Sequence, residues 1–247
     1  MANRDDLLAY ARELLNLDAF PDYGPMGLQV IGTPEVRRIA CGVSASRELF
    51  ERAAAAGVEL VIVHHGLFWE NEPRIVDQRM KGRLRALLDA NMTLAAYHLA
   101  LDAHPEIGNN ALVAGELGVE AERPFAKIGI GGPLREPCGI EGFGARVRER
   151  LAFDPLVFPY GPETIERVAV VTGGGARYLT DAAAEGYDLF LTGEAAEPTM
   201  ATARELEIHF VAAGHHATER LGVQALAARL AARFDLEWEF IDVPNPV

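Results

Sequence analysis

Val58-Glu59-Leu60-Val61-Ile62-Val63-His64-His65-Gly66-Leu67-Phe68-Trp69 is an apolar β-type run that breaks off in two adjacent histidines. Side chains on a strand alternate between its faces. Neighbouring histidines therefore share one site only if the backbone leaves extended geometry there, and Gly66 permits such a turn. The run predicts a strand whose C-terminal end carries His64 and His65, and in open α/β sheets that edge is where ligands bind.

Two later stretches repeat the pattern. Met92-Thr93-Leu94-Ala95-Ala96-Tyr97 runs into His98 and Asp102, and Ile208-His209-Phe210-Val211-Ala212-Ala213 runs into Gly214, His215, His216 and Glu219. Of the 7 histidines in the chain, only His104 and His209 fall outside these three strand ends, and both read as structural. Scattered core histidines would not cluster so.

Working outward, residues 4–17 carry apolar side chains at helical spacing, residues 38–43 read as a strand, 46–56 as a helix ended by Gly57, and 78–90 as a helix. This β-α-β-α-β alternation argues a parallel sheet with helical crossovers. Pro21 to Met26 reads as a turn-rich connection into a short strand at 27–30. A second set follows: strand 127–130, helix 140–151, strands 156–159 and 167–171, helix 177–184 and strand 187–191 ending in Thr192-Gly193-Glu194. A helix from Thr199, a helix at 218–232 and a strand at 236–241 close the chain. The glycine turn Thr172-Gly173-Gly174-Gly175 lacks both the Walker lysine and the GxGxxG spacing, so it reads as strand-to-helix punctuation rather than a phosphate cradle. The fold class is α/β with two lobes, each a sheet flanked by helices, and with the metal site at strand C-terminal ends. Residues 1–125 together with 191–247 form the metal-binding lobe, and 126–190 an inserted second lobe.

Composition bounds the function. The chain of 247 residues carries 23 basic against 36 acidic side chains, a net charge of −13, which argues against nucleic acid as the main partner. Cys41 and Cys138 are isolated, so neither a disulfide framework nor a thiolate zinc site is indicated, and a reducing cytoplasm fits. The charged start lacks a secretory core and no apolar run reaches the length of a membrane span. Imidazole and carboxylate donors without thiolates suit Zn²⁺, Mn²⁺, Fe or Ni²⁺, and their number exceeds what one tetrahedral ion requires. Two divalent ions are the natural count. His98 and Asp102, like His215 and Glu219, are four residues apart and share a helix face, and one carboxylate can bridge two ions. His98 is either a ligand or a hydrogen-bond partner behind one. His216 shares the strand end of His215 but not the four-residue spacing to Glu219. Phe68 and Trp69 read as wall or core, with ring stacking as the other possibility.

His64-His-Gly-Leu-Phe-Trp, His98-Leu-Ala-Leu-Asp102-Ala-His, Gly-Asn109-Asn110 and Gly214-His-His-Ala-Thr-Glu219-Arg, in this order and spacing, resemble the dinuclear-metal family of GTP cyclohydrolase I type 2 homologues, also called interacting-factor-three-like proteins. Gly27-Leu28-Gln29-Val30 and the closing Phe240-Ile-Asp-Val-Pro-Asn-Pro extend the likeness over nearly the whole chain. The resemblance implies a ligand set of His64, His65, Asp102, His215 and Glu219 around two metals, and a two-lobed subunit assembling into a ring-shaped hexamer. Met26 departs from the small polar residue expected before Gly-Leu-Gln-Val.

A two-metal cage holding Asp102 and Glu219 favours an anionic substrate oxygen and hydrolysis of a phosphate ester or of an electrophilic ring carbon of a nucleotide. In that reading Asp102 bridges, and His98 or Glu219 moves the proton. GTP ring opening is the instance the resemblance implies. A metal carrier without turnover and an interaction scaffold are the rival classes. The partners expected are an anionic small molecule and further copies of the chain.

Overall fold

The apolar runs become strands, and the strands form sheets flanked by helices, so the protein is α/β. The computed structural model describes residues 1–247. They divide into two units, Met1–Leu101 with Gly222–Pro244 and Asp102–Leu221 with Asn245–Val247. No helix is long and apolar enough to cross a membrane.

In chain order the elements begin β1 (Ala2–Asn3), α1 (Arg4–Leu14), β2 (Gly27–Val30), β3 (Glu35–Val36), β4 (Arg38–Ser44), α2 (Arg47–Ala55), β5 (Leu60–His65), α3 (Gln78–Asp89), β6 (Thr93–Ala96) and α4 (Leu99–Asp102). They continue α5 (Asn109–Glu116), β7 (Arg123–Phe125), β8 (Gly129–Cys138), α6 (Ile140–Leu151), β9 (Leu156–Pro159), β10 (Ile165–Val171), α7 (Leu179–Ala184), β11 (Leu189–Thr192), α8 (Thr199–Glu205), β12 (His209–Ala212), α9 (His215–Phe234) and β13 (Glu237–Phe240).

The first unit's sheet has the order β13-β4-β5-β6-β2, parallel except for β2. β4, β5 and β6 are buried along almost their whole length, the signature of parallel strands covered on both faces. Ala40, Val61, Val63 and Leu94 pack with Leu49, Phe50 and Ala53 of α2 and Met80 and Leu87 of α3, while Ile39, Ile62 and Ala95, one residue out of step, are buried on the other face.

The second unit's sheet has the order β7-β8-β10-β11-β12-β9, with β10, β11 and β12 parallel. Val168, Val170, Leu189 and Leu191 face Val113 and Leu117 of α5 and Phe143, Val147 and Leu151 of α6. The alternate residues Ala169, Val171 and Phe190 face Leu179 and Ala182 of α7 and Ala203 of α8. Burying each large apolar side chain of α6 stabilises by about 1.5–3 kcal/mol, more than helix propensity supplies over the same residues.

Both units share a topology. A strand that precedes the parallel trio in sequence (β2, β9) lies antiparallel beside the trio's third member (β6, β12). In both, a carboxylate just before the middle strand ties down the start of the first. Glu59 Oε2 accepts the Arg37 and Arg38 N–H groups at 3.1 and 2.9 Å, and Asp188 Oδ2 accepts those of Glu166 and Arg167, both at 2.8 Å. Burial raises the Glu59 carboxyl, but the N–H groups of Arg38 and Arg37 and the Arg37 guanidinium outweigh it, so its pKa lies below the ordinary value. A carboxylate depressed on folding stabilises fully above its unfolded pKa of about 4.3 and loses that contribution as pH falls through the folded value. Glu59→Gln should therefore be less stable than wild type at neutral pH by urea unfolding, with the gap closing in acid. A gap that stays constant down to the folded pKa would contradict this account.

Three sequence readings are corrected. The unit boundaries fall at Leu101/Asp102 and Leu221/Gly222 rather than near 125 and 190, because α5 packs on the second sheet and that sheet is extended by parallel pairing of β11 with β10 and of β12 with β11. The strand expected at 127–130 is the ten-residue β8, paired with both β7 and β10. The strand runs on through Gly131 and Gly132, where a Cβ would overlap the Tyr187 hydroxyl and the Glu120 carbonyl, so close packing selects glycine at both. Helix α9 begins at His215 rather than 218, which places His215 in its first turn instead of on a strand end.

Candidate metal centre

In the first unit, β5 carries His64 and His65 to its C-terminal end, and β6 delivers His98 just beyond its own. The ligand nitrogens of the three imidazoles lie within 4.8 Å of one another, a group that could hold a metal ion. Ring centroids are 4.8 Å apart for His64 and His65, 4.9 Å for His64 and His98 and 5.6 Å for His65 and His98.

Each ring is held by its Nδ1. His64, fully buried, donates Nδ1–H to the Tyr97 carbonyl at 2.9 Å. His65 Nδ1 lies 3.0 Å from the Ser44 hydroxyl, its partner in the β4–β5 register. His98 Nδ1 lies 2.8 Å from Asp22 Oδ1. A carbonyl only accepts, so the Nδ1 proton of His64 follows from its partner, and Nε2 keeps the lone pair that binds a metal. The same assignment holds for His98, because a carboxylate accepts. Such partners behind ligating histidines fix ring orientation and raise basicity.

Asp22 belongs to the loop read from sequence as a connection. Its side chain is 3% exposed and also accepts the Leu99 and Tyr23 N–H groups at 2.8 and 2.7 Å. Burial pushes its pKa up, but the hydrogen bonds from His98 and the two N–H groups outweigh it, so the carboxyl sits below its ordinary range. The departure at Met26 also finds a use: its sulfur accepts the His98 backbone N–H at 3.2 Å.

Gln29 ties the surrounding loops together, donating Nε2–H to the Pro25 carbonyl at 2.8 Å and accepting the Leu67 N–H on Oε1 at 2.7 Å. This corrects the reading of Gly66. It is not among the positive-φ residues; a Cβ there would overlap the Gln29 amide, so it is glycine for room and not for a left-handed turn. Trp69 packs edge-on against His98, with centroids 5.1 Å apart at 83°.

In the second unit, Asp102 ends α4 and is 4% exposed. Its Oδ1 accepts Asn109 Nδ2–H at 2.9 Å and the Thr172 hydroxyl at 3.4 Å. Asn110 donates to the Asp102 carbonyl at 3.1 Å and accepts the Thr172 N–H at 2.8 Å. The Gly-Asn-Asn segment is therefore the clamp on Asp102. One turn into α9, His215 Nε2 lies 3.2 Å from Glu219 Oε2, and on its other side His215 Nδ1 lies 3.4 Å from Glu194 Oε1. Burial lowers the His215 pKa, but Glu219 and Glu194 together raise it above the ordinary value. Two carboxylates around one imidazole leave an excess of negative charge that a divalent cation would offset.

The glycine turn Thr172–Gly175 is braced from within. The Gly173 N–H donates to Thr218 Oγ1 at 3.1 Å, the Gly175 N–H to Thr192 Oγ1 at 2.9 Å, and Thr192 Oγ1 donates to the Gly173 carbonyl at 2.9 Å. Those N–H groups are consumed by the fold, which agrees with punctuation rather than a phosphate cradle. The turn backs against the site: a Cβ on Gly173 would overlap Glu219 Oε1 and lie 3.1 Å from His215 Nε2.

The remaining histidines are engaged in structure. His104 Nδ1 accepts the Glu106 and Ile107 N–H groups, His209 is held by the Gly161 N–H and the Pro162 carbonyl, and the His216 N–H meets the Val247 carbonyl. Cys41 is no competing donor, since burial first and Glu239 second push its thiol up to about 12. The donors present are imidazoles and carboxylates, and they fit a borderline or hard divalent ion. Sequence reading missed Asp22, Ser44 and Glu194 as the partners of His98, His65 and His215. They lie in different segments from the histidines they orient, and no local motif marks them.

A family model described as Duf34/NIF3 (NGG1p interacting factor 3) matches residues 2–246. The Pseudomonas aeruginosa protein named GTP cyclohydrolase 1 type 2 homolog is 46% identical over 245 residues, 97% of each chain. The solved structure of protein ybgI, described as of unknown function, is 42% identical and superposes with a TM-score of 0.97 over 100% of both chains. TTHA1606 from Thermus thermophilus is 36% identical with a TM-score of 0.93, again over 100% of both.

Proposed function

The chain belongs to the Duf34/NIF3 family, and from that premise we propose that it is a dinuclear-metal-dependent hydrolase acting on a nucleotide or related phosphorylated small molecule. The observation that carries the reading is the pair of donor sets: His64, His65 and His98 in one unit, with partners behind their Nδ1 atoms, and Asp102, His215 and Glu219 in the other.

We propose that His64, His65, Asp102, His215 and Glu219 would hold two divalent ions (Fe, Zn, Mn or Ni), Asp102 being the carboxylate that would serve both. When bound, the ions would supply Lewis-acid activation of water and of a substrate oxygen. The chain's own residues do the rest. His98, oriented by Asp22, offers Nε2 to a proton; Glu219 offers its second carboxylate oxygen; and Asn109 and Thr172 hold the Asp102 carboxylate in place. GTP ring opening enters from the name carried by the Pseudomonas relative. The expected substrate is anionic, the expected compartment the cytoplasm and the expected assembly a ring-shaped homohexamer, for which light scattering showing a monodisperse monomer at micromolar concentration would be the contrary result.

Elemental analysis of metal-saturated protein should return two ions per chain, and well under one would remove the assignment. Nucleotides and phosphate esters screened with metal-reconstituted wild type, Asp102→Asn and His215→Ala should show turnover in wild type alone. Asp102→Asn keeps the side chain's size but removes one negative charge, so its activity should fall at least tenfold, an expected barrier increase of about 1.4 kcal/mol or more. No turnover by wild type with Mn²⁺, Fe²⁺, Zn²⁺ or Ni²⁺ would favour the metal carrier. Full activity in Asp102→Asn would displace the site assignment.

A further inference from the structure

A cavity of about 400 Å³, walled by Pro25, Leu67, Phe68, Trp69, Met80 and Leu84, is linked to the histidine group through Trp69. Its size is that of a small-molecule site. We propose that it is the subsite for a neutral heteroaromatic ring of the substrate; this deepens the hydrolase reading and rests on it.

Three observations carry the assignment. First, Trp69 is a wall of the cavity and also packs against His98 and His65, at centroid distances of 5.1 and 6.1 Å. A ring lodged against this indole is thus one side chain away from the metal-binding nitrogens. Second, the cavity's walls are the segments that build the histidine group. Gln29 fastens Pro25 to Leu67, the Glu70 N–H donates to the Tyr23 carbonyl at 2.8 Å, and Gly24 lies so close to Phe68 that a Cβ on it would overlap the Phe68 carbonyl. The cavity is therefore preformed by hydrogen bonds that also fix the site, which lowers the ordering cost of binding.

Third, the charge pattern selects what enters. Glu70, Glu72 and Arg74 also line the cavity, and Glu72 is paired with Arg79 at 3.3 Å. No surplus of cations awaits a phosphate there, while indole, phenyl and thioether surfaces suit the π-face of an uncharged ring. The anionic end of the same molecule is left to the cations of the neighbouring site. Such a division predicts a substrate that is amphipathic along its length, ring at one end and phosphate or ionised oxygen at the other.

The chain has 2 tryptophans, Trp69 and Trp238, so Trp238→Phe leaves Trp69 as the only indole and makes its fluorescence a direct reporter. The probes are neutral purine, pyrimidine and pyridine nucleosides, with ribose 5-phosphate and inorganic phosphate as ring-free controls, each titrated into metal-free and Mn²⁺-loaded protein. At least one nucleoside should change the Trp69 emission saturably in both forms, and the ring-free anions should not. Equilibrium dialysis on Trp69→Leu, with folding checked by circular dichroism, should show at least a tenfold weaker affinity for that nucleoside. If Trp69→Leu does not fold, Leu84→Glu on the cavity wall replaces it, with the same expected loss.

The proposal is overturned if no nucleoside binds up to the millimolar range, or if phosphate alone reproduces the response. It is overturned too if the emission follows protein concentration instead of ligand, which would give the cavity to a second copy of the chain. Because binding is read without turnover, a nucleoside that binds to a protein that hydrolyses nothing would sink the hydrolase reading and leave the subsite standing.

Discussion

Asp22→Asn is expected to leave the fold nearly intact and yet lower turnover of the Mn²⁺-reconstituted protein by about 10–100-fold, the usual range for losing a partner behind a histidine of a metal site. The reason lies in the donor inventory around Asp22. Its carboxylate receives the His98 Nδ1–H and the Leu99 N–H, each at 2.8 Å. An asparagine has one acceptor oxygen and one NH₂ group. Leu99 cannot change its role, because a backbone N–H only donates, whereas the Tyr23 N–H that shares Oδ1 with His98 is exposed and can turn to water, so the amide oxygen stays with Leu99 and the NH₂ turns to His98. His98 can answer by changing tautomer, taking its proton onto Nε2 so that Nδ1 accepts.

That change removes the Nε2 lone pair, whether it serves a cation or a proton. Nitrogen-15 NMR of the imidazoles should report the Nδ1–H form in wild type and the Nε2–H form in Asp22→Asn. The screen of nucleotides and phosphate esters, repeated with this variant, then gives the loss of turnover. Asp22→Ala differs in kind: it leaves the part-buried His98 Nδ1–H and Leu99 N–H without an acceptor, each costing about 1–3 kcal/mol, so it should lower stability by about 2–6 kcal/mol as well. Wild-type turnover in Asp22→Asn, or an unchanged His98 tautomer, would contradict the proposed orientation.

Asp22 and His98 also mark the line between what is legible in the sequence and what only the folded chain creates. The three strand-end motifs are legible because apolar runs of strand length are a local signal, and the histidines sit where each run stops. The His-x-x-x-carboxylate spacings at His98/Asp102 and His215/Glu219 are equally local. Asp22 is different: it is separated from His98 by 76 positions and lies among prolines and glycines. A single acidic residue in such a loop is ordinarily solvated. Only the closure of the loop over β6, fastened by Gln29 and Met26, buries it. Glu194 is readable as the end of a strand, but its contact with His215 depends on β11 and β12 being neighbours in the sheet. The length of β8 is not legible locally, because Gly131 and Gly132 carry no strand signal and are glycine for close packing against Tyr187 and Glu120. Local chemistry announces the candidate donors; the groups that orient them are products of topology.

Gly173→Ala should damage the second unit on two counts. Gly173 has φ +66°, a conformation that costs an alanine about 1–2 kcal/mol. The new Cβ would also overlap Glu219 Oε1, whose residue is 2% exposed and cannot swing into solvent without opening the site. Overpacking of this kind adds about 1–3 kcal/mol, so the total loss should be about 2–5 kcal/mol, and the displaced Glu219 should no longer join His215 in holding a metal. Gly57→Ala separates the two causes. Gly57 has φ +69° but nothing within 4 Å of a Cβ, so it reports the backbone cost alone. The difference between the two variants in urea unfolding measures the collision with Glu219, and metal content measures its consequence. Gly174→Ala, whose Cβ would lie 3.2 Å from Glu194 Oε1 and 3.8 Å from His215 Cε1, should stay close to wild type in both. If Gly173→Ala is no less stable than Gly57→Ala and carries a full metal complement, the glycine turn does not set the position of Glu219.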